Sequence, residues 1–279
     1  MLLTIGIILF LILLGLLGWR FMDEQETKKV WAELKNTKDY KEELFDPTRI
    51  ETLPEPAKRF FRFAIKEGTP IHPIIELDMS GEFSLGSKEK PNYMPMTAKQ
   101  IISPPHGFIW KVSAGSGLMR FVGSDACHPD GSWSRFWLFG FIPIARAGGN
   151  KDHKLSSFGR YMSEAVFWLP SAVFPSENIV WQKLGPDHAQ ATITHNGMEL
   201  IVELIVDKQG APTTIRFQRW TNANPEGVFR MQHFGGYLSD FKNFDGYMLP
   251  TSIEAGNNFG TNQYFPFFKV KVLKIDFPR

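Results

Sequence analysis

Most of the chain after residue 70 consists of short segments in which apolar and polar residues alternate. This two-residue period is typical of β-strands that bury one face. Turn signals separate the segments and no βαβ alternation occurs, so the strands are predicted to form an antiparallel sheet. The predicted strands are residues 74–85, 96–103, 108–113, 118–124, 133–141, 179–184, 189–195, 198–206, 213–220, 228–234, 248–257 and 264–276.

One apolar stretch, residues 155–175 (LSSFGRYMSEAVFWLPSAVFP), interrupts the strands. Its apolar residues recur at helical spacing. Pro170 lacks a backbone donor and disfavours helical conformation in the residue before it, so the helix should end near Trp168. A single apolar helix among a dozen strands predicts a mainly β (α+β) fold. We expect a large curved antiparallel sheet, or half-barrel, with one central helix packed on it.

The aromatic content supports a wide apolar interior. Aromatic residues make up 14% of the chain, with 25 Phe and 8 Trp. They suit either an apolar cavity or simply a Phe-rich core, since aromatic side chains dominate core energetics in any case. The formal net charge is only +2, whereas a nucleic-acid binder normally has a strong excess of basic residues. No nucleic-acid partner is therefore expected. The single cysteine, Cys127, excludes an internal disulfide framework and a cysteine-based zinc site.

The N-terminus is an uncharged apolar run over residues 2–19, about the shortest helix that crosses a bilayer. Trp19 and Arg20 stand where interfacial residues are found. A cleaved signal peptide would normally carry a basic segment and a small-x-small cleavage site, and neither is present. We therefore expect an uncleaved single-pass anchor in the cell membrane. Arg20 and Lys28 favour a cytoplasmic domain, but large domains are translocated despite flanking charge, so the side stays open.

Three regions are predicted on this basis: an anchor over residues 1–20, a juxtamembrane stalk over 21–52 and a β-rich domain over 53–279. Residues 23–45 are charged with few apolar positions, which indicates a solvated helix or stalk. The segment 53–68 (LPEPAKRFFRFAIKEG) predicts a second helix, with Gly68 in the C′ position. Its basic face fits two alternatives, contact with anionic lipid headgroups or an ordinary surface helix docked by its Phe residues. A single amphipathic stripe favours the second. The basic residues are Lys58, Arg59, Arg62 and Lys66.

Motifs for chemistry are absent from the sequence. No nucleotide-binding loop, hydrolase elbow or zinc-protease motif occurs, so no cofactor and no metal are predicted. Seven histidines are scattered without metal spacing. Cys127 and His128 are neighbours that would point to opposite faces of a strand, which argues against a catalytic pair.

The strongest polar candidates are Arg160 and Glu164, which are spaced to meet on the predicted helix. Three roles are open: a surface pair, a structural link from the helix to the sheet, or contact with a ligand headgroup. The aromatic surroundings favour the structural link, because buried charges need partners.

The central helix also carries a family resemblance. Residues 160–165 (RYMSEA) are followed by Trp168, Pro170, Ala172 and Pro175. Supporting segments are residues 53–61 and the Pro104-Pro105 pair before residues 107–110. From about residue 53 to 277 the chain resembles a bacterial family of unknown function, DUF6544 (also called DUF6920). It departs from the pattern at His106, which separates the proline pair from Gly107. The resemblance implies no established activity. More distantly, the predicted architecture resembles the half-barrels of bacterial lipoprotein and lipid carriers.

Three functions remain open from the sequence. We expect a membrane-anchored binding module for a lipid or other apolar ligand in the bacterial envelope, with the helix as lid. The first alternative is a hydrolase-like enzyme whose site assembles from His195, Glu164 and Asp125. The second is a domain that docks an envelope protein. The ligand and the oligomeric state are left open. The predicted ligand-binding residues are Phe158, Arg160, Met162, Glu164 and Trp168.

Overall fold

The computed structural model describes residues 1–36 and 43–278. These residues form three α-helices, α1 (Leu2–Lys35), α2 (Glu55–Ala64) and α3 (Lys151–Trp168). Short 3-10 turns lie at Pro47–Ile50, Gly117–Met119 and Pro170–Val173. The described strands are β1 (Ile75–Ser84), β2 (Tyr93–Ser103), β3 (Gly107–Ala114), β4 (Phe121–His128), β5 (Gly131–Leu138), β6 (Ile142–Gly148), β7 (Ile179–Gly185), β8 (His188–His195), β9 (Met198–Val206), β10 (Pro212–Thr221), β11 (Arg230–Phe244), β12 (Tyr247–Asn257) and β13 (Phe265–Asp276).

All thirteen described strands join one open, curved antiparallel sheet, which confirms the predicted fold class. Their order is β6-β5-β4-β3-β2-β1-β13-β12-β11-β10-β9-β8-β7. The sheet is therefore two consecutive meanders that meet where β1 pairs with β13. The chain leaves the first meander at one outer edge, β6, and enters the second at the opposite edge, β7. Helix α3 is the connection between these edges, so it must cross a face of the sheet.

Helix α3 packs on one face of the sheet, which we call the inner face. It contacts strands of both meanders, chiefly β10 and β9, and also β3, β4, β5, β6 and β12. Phe158, Tyr161 and Met162 are buried there in the main core. The helix ends at Trp168 as predicted, and Pro170 opens the next 3-10 turn. It begins earlier than the apolar stripe indicated, because Asn150 caps it by accepting a hydrogen bond from the His153 amide at 2.8 Å.

Most strand ends shift by a few residues, and two strands differ more strongly from the sequence-based assignment. Strand β6 was not predicted, because it lies at the edge of the sheet, five of its seven residues are exposed and none is buried. Strand β11 runs far beyond the predicted 228–234, through Gly235 and Gly236, which weaken a strand pattern. The Asn196-Gly197 turn is confirmed. Both residues have positive φ, 48° and 75°, as a two-residue hairpin requires.

Helix α1 continues without a break from the apolar run into the charged segment. Its second half packs on the outer face of the sheet, opposite α3, where Val30 and Leu34 join a second core cluster with Ile109 and Trp133. The described part of the predicted stalk is therefore docked rather than solvated. Helix α1 docks because the outer face of the sheet also carries apolar side chains, among them Ile109 and Trp133, which the helix shields from water. Residues 37–42 of the predicted stalk lie outside the described residues.

Helix α2 is a docked surface helix, as the amphipathic stripe favoured. Phe60 and Phe61 are fully buried beneath it. Its basic face is paired within the domain: Arg59 contacts Asp187 at 2.6 Å, and Lys58 and Arg62 contact Glu51. The helix ends at Ala64 and Ile65 is extended. Gly68, with φ of 77°, lies in the following turn rather than at the predicted C′ position.

The two rims of the sheet are distinct. We call the rim that carries the turns after β1, β3, β5, β8, β10 and β12 the upper rim, and the opposite one the lower rim. In an antiparallel sheet alternate turns share a rim, so this grouping follows from the strand order. Near the lower rim Leu34 lies beside His128 and Pro129. Trp19 packs against Trp137, next to the upper rim, with ring centroids 5.5 Å apart. The apolar start of α1 therefore projects past the upper rim.

Candidate functional site

A cavity of about 340 Å³ lies between α3 and the inner face of the sheet. Its wall is predominantly apolar, and it contains nine aromatic residues. These are Phe83, Trp110, Phe136, Phe167, Trp168, Phe217, Phe234, Phe267 and Phe268. The size falls within the range of small-molecule sites, roughly 300–1,000 Å³.

The cavity extends toward the upper rim. Phe83, Thr221 and Asn257 line it and stand at or next to the upper-rim ends of β1, β10 and β12. Ile215 and Ile253 line it further from that rim. A ligand would therefore lie along the strands, with one end near the upper rim.

Helix α3 supplies one wall through a stripe of residues three or four apart, Arg160, Ser163, Glu164 and Phe167, with Trp168 beside them. The opposite stripe of the helix faces the packed core. Phe158 and Met162 lie on that side; they are buried in the main core and do not line the cavity. The structure thus brings three of the five predicted ligand-binding residues to the cavity, namely Arg160, Glu164 and Trp168.

Arg160 is held by two carboxylates. Its Nη1 donates to Asp125 Oδ2 on β4 at 2.7 Å, and its Nε donates to Glu164 Oε1 at 3.1 Å. Gln100 on β2 donates to the other Glu164 oxygen. Burial alone would lower the pKa of Arg160, but Glu164 and Asp125 outweigh it and raise the pKa above its ordinary value. The arrangement fits the structural link that the sequence favoured, from helix to sheet.

The Arg160 guanidinium also lies over two aromatic rings. It is 5.1 Å from the centroid of Phe108 and 5.0 Å from that of Trp110. Such cation–π contacts add to the ion pairs in a desolvated setting. The positive charge of Arg160 is therefore already balanced by two carboxylates within the domain.

A histidine, a serine and an aspartate meet beside the ion pair, in an order that does not match a hydrolase triad. Ser134 Oγ donates to Asp125 Oδ1 at 2.6 Å, and His153 Nε2 lies 3.1 Å from the same Oγ. Because the hydroxyl has a single proton, His153 Nε2 must be the donor to Ser134. His153 Nδ1 then accepts from Ser132 Oγ at 2.9 Å. A histidine protonated on that nitrogen cannot accept the serine proton as a general base.

Burial supports a neutral His153. Burial lowers the pKa of His153, against the opposing effect of Asp125. The residues form a chain of hydrogen bonds from Ser132 to Asp125, which fixes the start of α3 against β5.

The hydrolase-like site considered from the sequence, formed by His195, Glu164 and Asp125, assembles only in part. Asp125 and Glu164 meet at Arg160, but His195 lies at the β8–β9 turn, where its Nε2 is 2.9 Å from Asn196 Nδ2. Cys127 faces the main core, and burial raises the pKa of its thiol to about 11. His128 contacts Trp133 on the other face of the sheet, which confirms that Cys127 and His128 point apart. Among the described residues, no group of three or more metal-ligating side chains is arranged to hold a metal ion.

Arg219 is the residue that sequence reasoning missed. It lies on β10 in the cavity wall, with its guanidinium carbon 5.1 Å from the Phe234 ring centroid. Its Nε is buried and has no hydrogen-bond partner among the described residues. Burial, together with the positive charge of Arg160, lowers the pKa of Arg219 to about 10. The signal was present in the strand pattern, because Ile215, Phe217 and Arg219 occupy alternate positions and therefore one face.

Comparisons with known proteins give a family. A search of curated proteins found no match. Among solved structures, a LolA superfamily protein from Nitrosomonas europaea is 9% identical, with a TM-score of 0.43, covering 79% of this chain and 91% of that one. A putative outer membrane lipoprotein-sorting protein domain from Vibrio parahaemolyticus is 11% identical, with a TM-score of 0.38, covering 73% of this chain and 85% of that one. The sequence model of a family of unknown function, DUF6544, matches residues 43–270. This match confirms the resemblance found in the sequence, and the chain belongs to the DUF6544 family.

Proposed function

We propose that this chain is a membrane-anchored module that binds a lipid or another apolar ligand between α3 and the inner face of the sheet. The observation that carries the proposal is the cavity itself, a space of about 340 Å³ with nine aromatic side chains in its wall. Protein interiors normally close such spaces by packing. An apolar cavity kept open in a Phe-rich core is best explained by a ligand that fills it.

The energetics suit a chain-like ligand. Each methylene buried in the cavity contributes roughly 0.8 kcal/mol. Part of that gain is offset by the ordering of the ligand. The cavity is preformed by the crossing of α3 over the sheet, so little protein rearrangement opposes binding.

The anchor is part of the same proposal. Of the helices that the structure describes, α1 is the one long and apolar enough to cross a membrane, and none of its most apolar window is buried. The docked half of α1 begins at about Trp19, so a cleaved signal sequence ending near residue 22 would remove part of a packed helix. We therefore assign residues 1–20 to the membrane and residues 53–279 to one domain, with α1 joining the two.

Photo-crosslinking of the full chain in lipid bilayers tests the proposal. A palmitic acid analogue with a diazirine in its chain labels any protein segment that contacts it. The span of α1 serves as an internal positive control, because it contacts the acyl chains in every variant. Binding in the cavity predicts additional labelling of α3 over residues 160–168 and of β10 over 215–221.

A pair of matched variants assigns that labelling to the cavity. Ala255 lines the cavity, and Ala255→Phe fills part of it. Ala147 is exposed on the edge strand β6 and does not line the cavity. Ala147→Phe therefore adds the same side chain outside the cavity. Loss of α3 and β10 labelling in Ala255→Phe but not in Ala147→Phe supports the proposal, provided that both variants show unchanged circular dichroism. Labelling confined to α1 in the wild-type protein would overturn it.

A further inference from the structure

Arg219 is a cation in a predominantly apolar wall, and it forms no ion pair with any residue the structure describes. Its buried Nε has no hydrogen-bond partner among the described residues. An unpaired buried charge is costly, and a guanidinium has five N–H groups to satisfy. Asp125 and Glu164 act on Arg219 only from a distance: they form ion pairs with Arg160 and none with Arg219.

We infer that the ligand carries an anionic group, a carboxylate or a phosphate, that pairs with Arg219. The inference rests on the proposed function and adds the chemical class of the ligand. A guanidinium presents a planar pair of donors that matches carboxylate and phosphate oxygens. Arg219 is therefore the partner for an acidic headgroup, in place of Arg160, whose guanidinium is already bonded to two carboxylates.

The position of Arg219 also orients the ligand. It stands two residues before Thr221, the last residue of β10 at the upper rim, while Phe217 and Ile215 continue the same strand face inward. An acidic headgroup at Arg219 would leave the apolar chain to run from the upper rim toward Ile215 and Ile253. The structure thus fits a single-chain anionic amphiphile held head-outward.

Competition in the crosslinking experiment tests this inference separately from the cavity. Palmitic acid, hexadecyl phosphate and the neutral hexadecanol compete with the photoprobe for the α3 and β10 labels. The neutral alcohol cannot form a charged hydrogen-bonded pair with Arg219. We therefore expect the better of the two acids to compete at least about tenfold more strongly than hexadecanol. Whichever acid competes better identifies the headgroup as carboxylate or phosphate.

Variants of Arg219 complete the test. Arg219→Gln should remove the preference for acids while leaving competition by hexadecanol unchanged, and Arg219→Lys should retain part of it. Equal competition by the acids and hexadecanol in the wild type would overturn the anionic headgroup but leave the cavity proposal standing. If no competitor reduces labelling of α3 and β10, the proposed function itself fails. Thermal unfolding checks that both variants fold.

A second inference comes from a different part of the molecule, the upper rim beside α1. Four apolar side chains are exposed there, Met119 at 61%, Phe139 at 42%, Ile142 at 39% and Ile144 at 51%. The turns that carry Met119 and Phe139 are joined, since the Phe139 amide donates to the Arg120 carbonyl at 2.9 Å. Isolated exposed apolar residues are ordinary, but a cluster at one rim marks a contact surface.

The position of α1 identifies the occupant. Trp19 packs on Trp137, two residues before the turn at Phe139, and Arg146 of β6 lies 4.3 Å over the Trp19 ring. Residues 2–18 then project beyond this rim for about 25 Å at 1.5 Å per residue. Tryptophan and arginine are typical of the bilayer interface. We propose that this apolar cluster of the upper rim rests in the bilayer interface, an inference that builds on the proposed anchor α1 and that would turn the cavity mouth toward the membrane.

Lipid quenching of a site-specific fluorophore tests the rim contact. Phe139→Cys and Ile142→Cys receive an environment-sensitive maleimide dye, and Asp130→Cys on the lower rim is the control. The native Cys127 is buried, so it should not react. In reconstituted full chain, spin-labelled lipids should quench the dye at positions 139 and 142 but not at 130. Equal quenching at the two rims would overturn the proposal. Loss of the protein on carbonate extraction would instead refute the anchor.

Discussion

Arg146 on the edge strand β6 donates two hydrogen bonds to Asp23 on α1. Its Nη1 lies 2.6 Å from Oδ2 and its Nη2 lies 3.0 Å from Oδ1. Trp137 Nε1 donates to the same carboxylate at 3.1 Å. Asp23 is buried, so this contact fixes the helix at the point where it leaves the apolar run. These contacts fix the orientation of α1 relative to the sheet.

Asp23→Ala should release the second half of α1 from the outer face. It leaves Arg146 and the Trp137 N–H without their carboxylate partner, while the apolar contacts of Val30 and Leu34 remain. We expect faster hydrogen exchange over residues 24–34 with little change in β1–β3. Glu33→Ala, at an exposed position of the same helix that pairs with Lys29, is the matched control. Unchanged exchange in Asp23→Ala would show that the apolar cluster alone holds the helix.

Arg160→Met should destabilise the domain by about 3–5 kcal/mol, because it leaves the mostly buried carboxylates of Asp125 and Glu164 without their cation. Arg230→Met removes the exposed pair with Glu226 and should cost less than about 1 kcal/mol. Denaturant unfolding of both variants compares the two. Similar midpoints would contradict the role of Arg160 as the link between α3 and the sheet.

Trp168→Ala should also cost about 3–5 kcal/mol, the range for deletion of a large buried aromatic. Trp168 is buried where α3 ends, and its Nε1 donates to the Pro250 carbonyl on β12 at 3.3 Å. Trp168→Phe keeps a ring at this point and should cost clearly less. Denaturant unfolding gives both values. A wild-type midpoint for Trp168→Ala would mean that the end of α3 is not anchored by this side chain.

The domain should lose stability in mild acid because His153 is half-buried in its neutral form. Burial lowers its folded pKa below the ordinary value of 6.5, so the unfolded chain takes up the proton first as the pH falls. The stability contributed by a neutral His153 is therefore fully present above about pH 6.5, and it is lost as the pH falls toward the folded pKa. Asp125 and Arg219 are the charged groups that act on this ring. His153→Gln should flatten the loss of stability between pH 7 and 5.

The comparison with His153→Gln must be made as a difference from the wild type, since burial also lowers the pKa of His128 and His195. Parallel curves for wild type and variant would show that the chain of hydrogen bonds from Ser132 to Asp125 does not depend on a neutral His153.

The local patterns of the chain predicted most of the fold. The two-residue alternation identified twelve of the described strands, and Pro170 correctly ended α3 at Trp168. The strand order was beyond those patterns, because pairing of β1 with β13 is a long-range contact with no local signal. The docking of α1 was missed for the same reason: its four buried positions look like an ordinary charged helix until Ile109 and Trp133 appear on the facing strands.

The candidate site was predicted in part. The spacing of Arg160 and Glu164 was enough to place them together, but which stripe of α3 faces the cavity depended on how the helix crosses the sheet. Phe158 and Met162 were therefore grouped with the ligand although they face the packed core. The strand pattern puts Arg219 on the same face as Ile215 and Phe217, but the lack of a hydrogen-bond partner for its buried Nε is a property of the folded chain.

The most direct measurement of the central claim is native mass spectrometry of the full chain released from lipid nanodiscs. The cavity proposal predicts that wild-type protein and Ala147→Phe each retain one bound amphiphile after the surrounding lipids are stripped, while Ala255→Phe retains none. Arg219→Gln should lose an acidic amphiphile more readily than wild type. A bare wild-type chain, or identical bound lipid in wild type and Ala255→Phe, would contradict binding between α3 and the sheet.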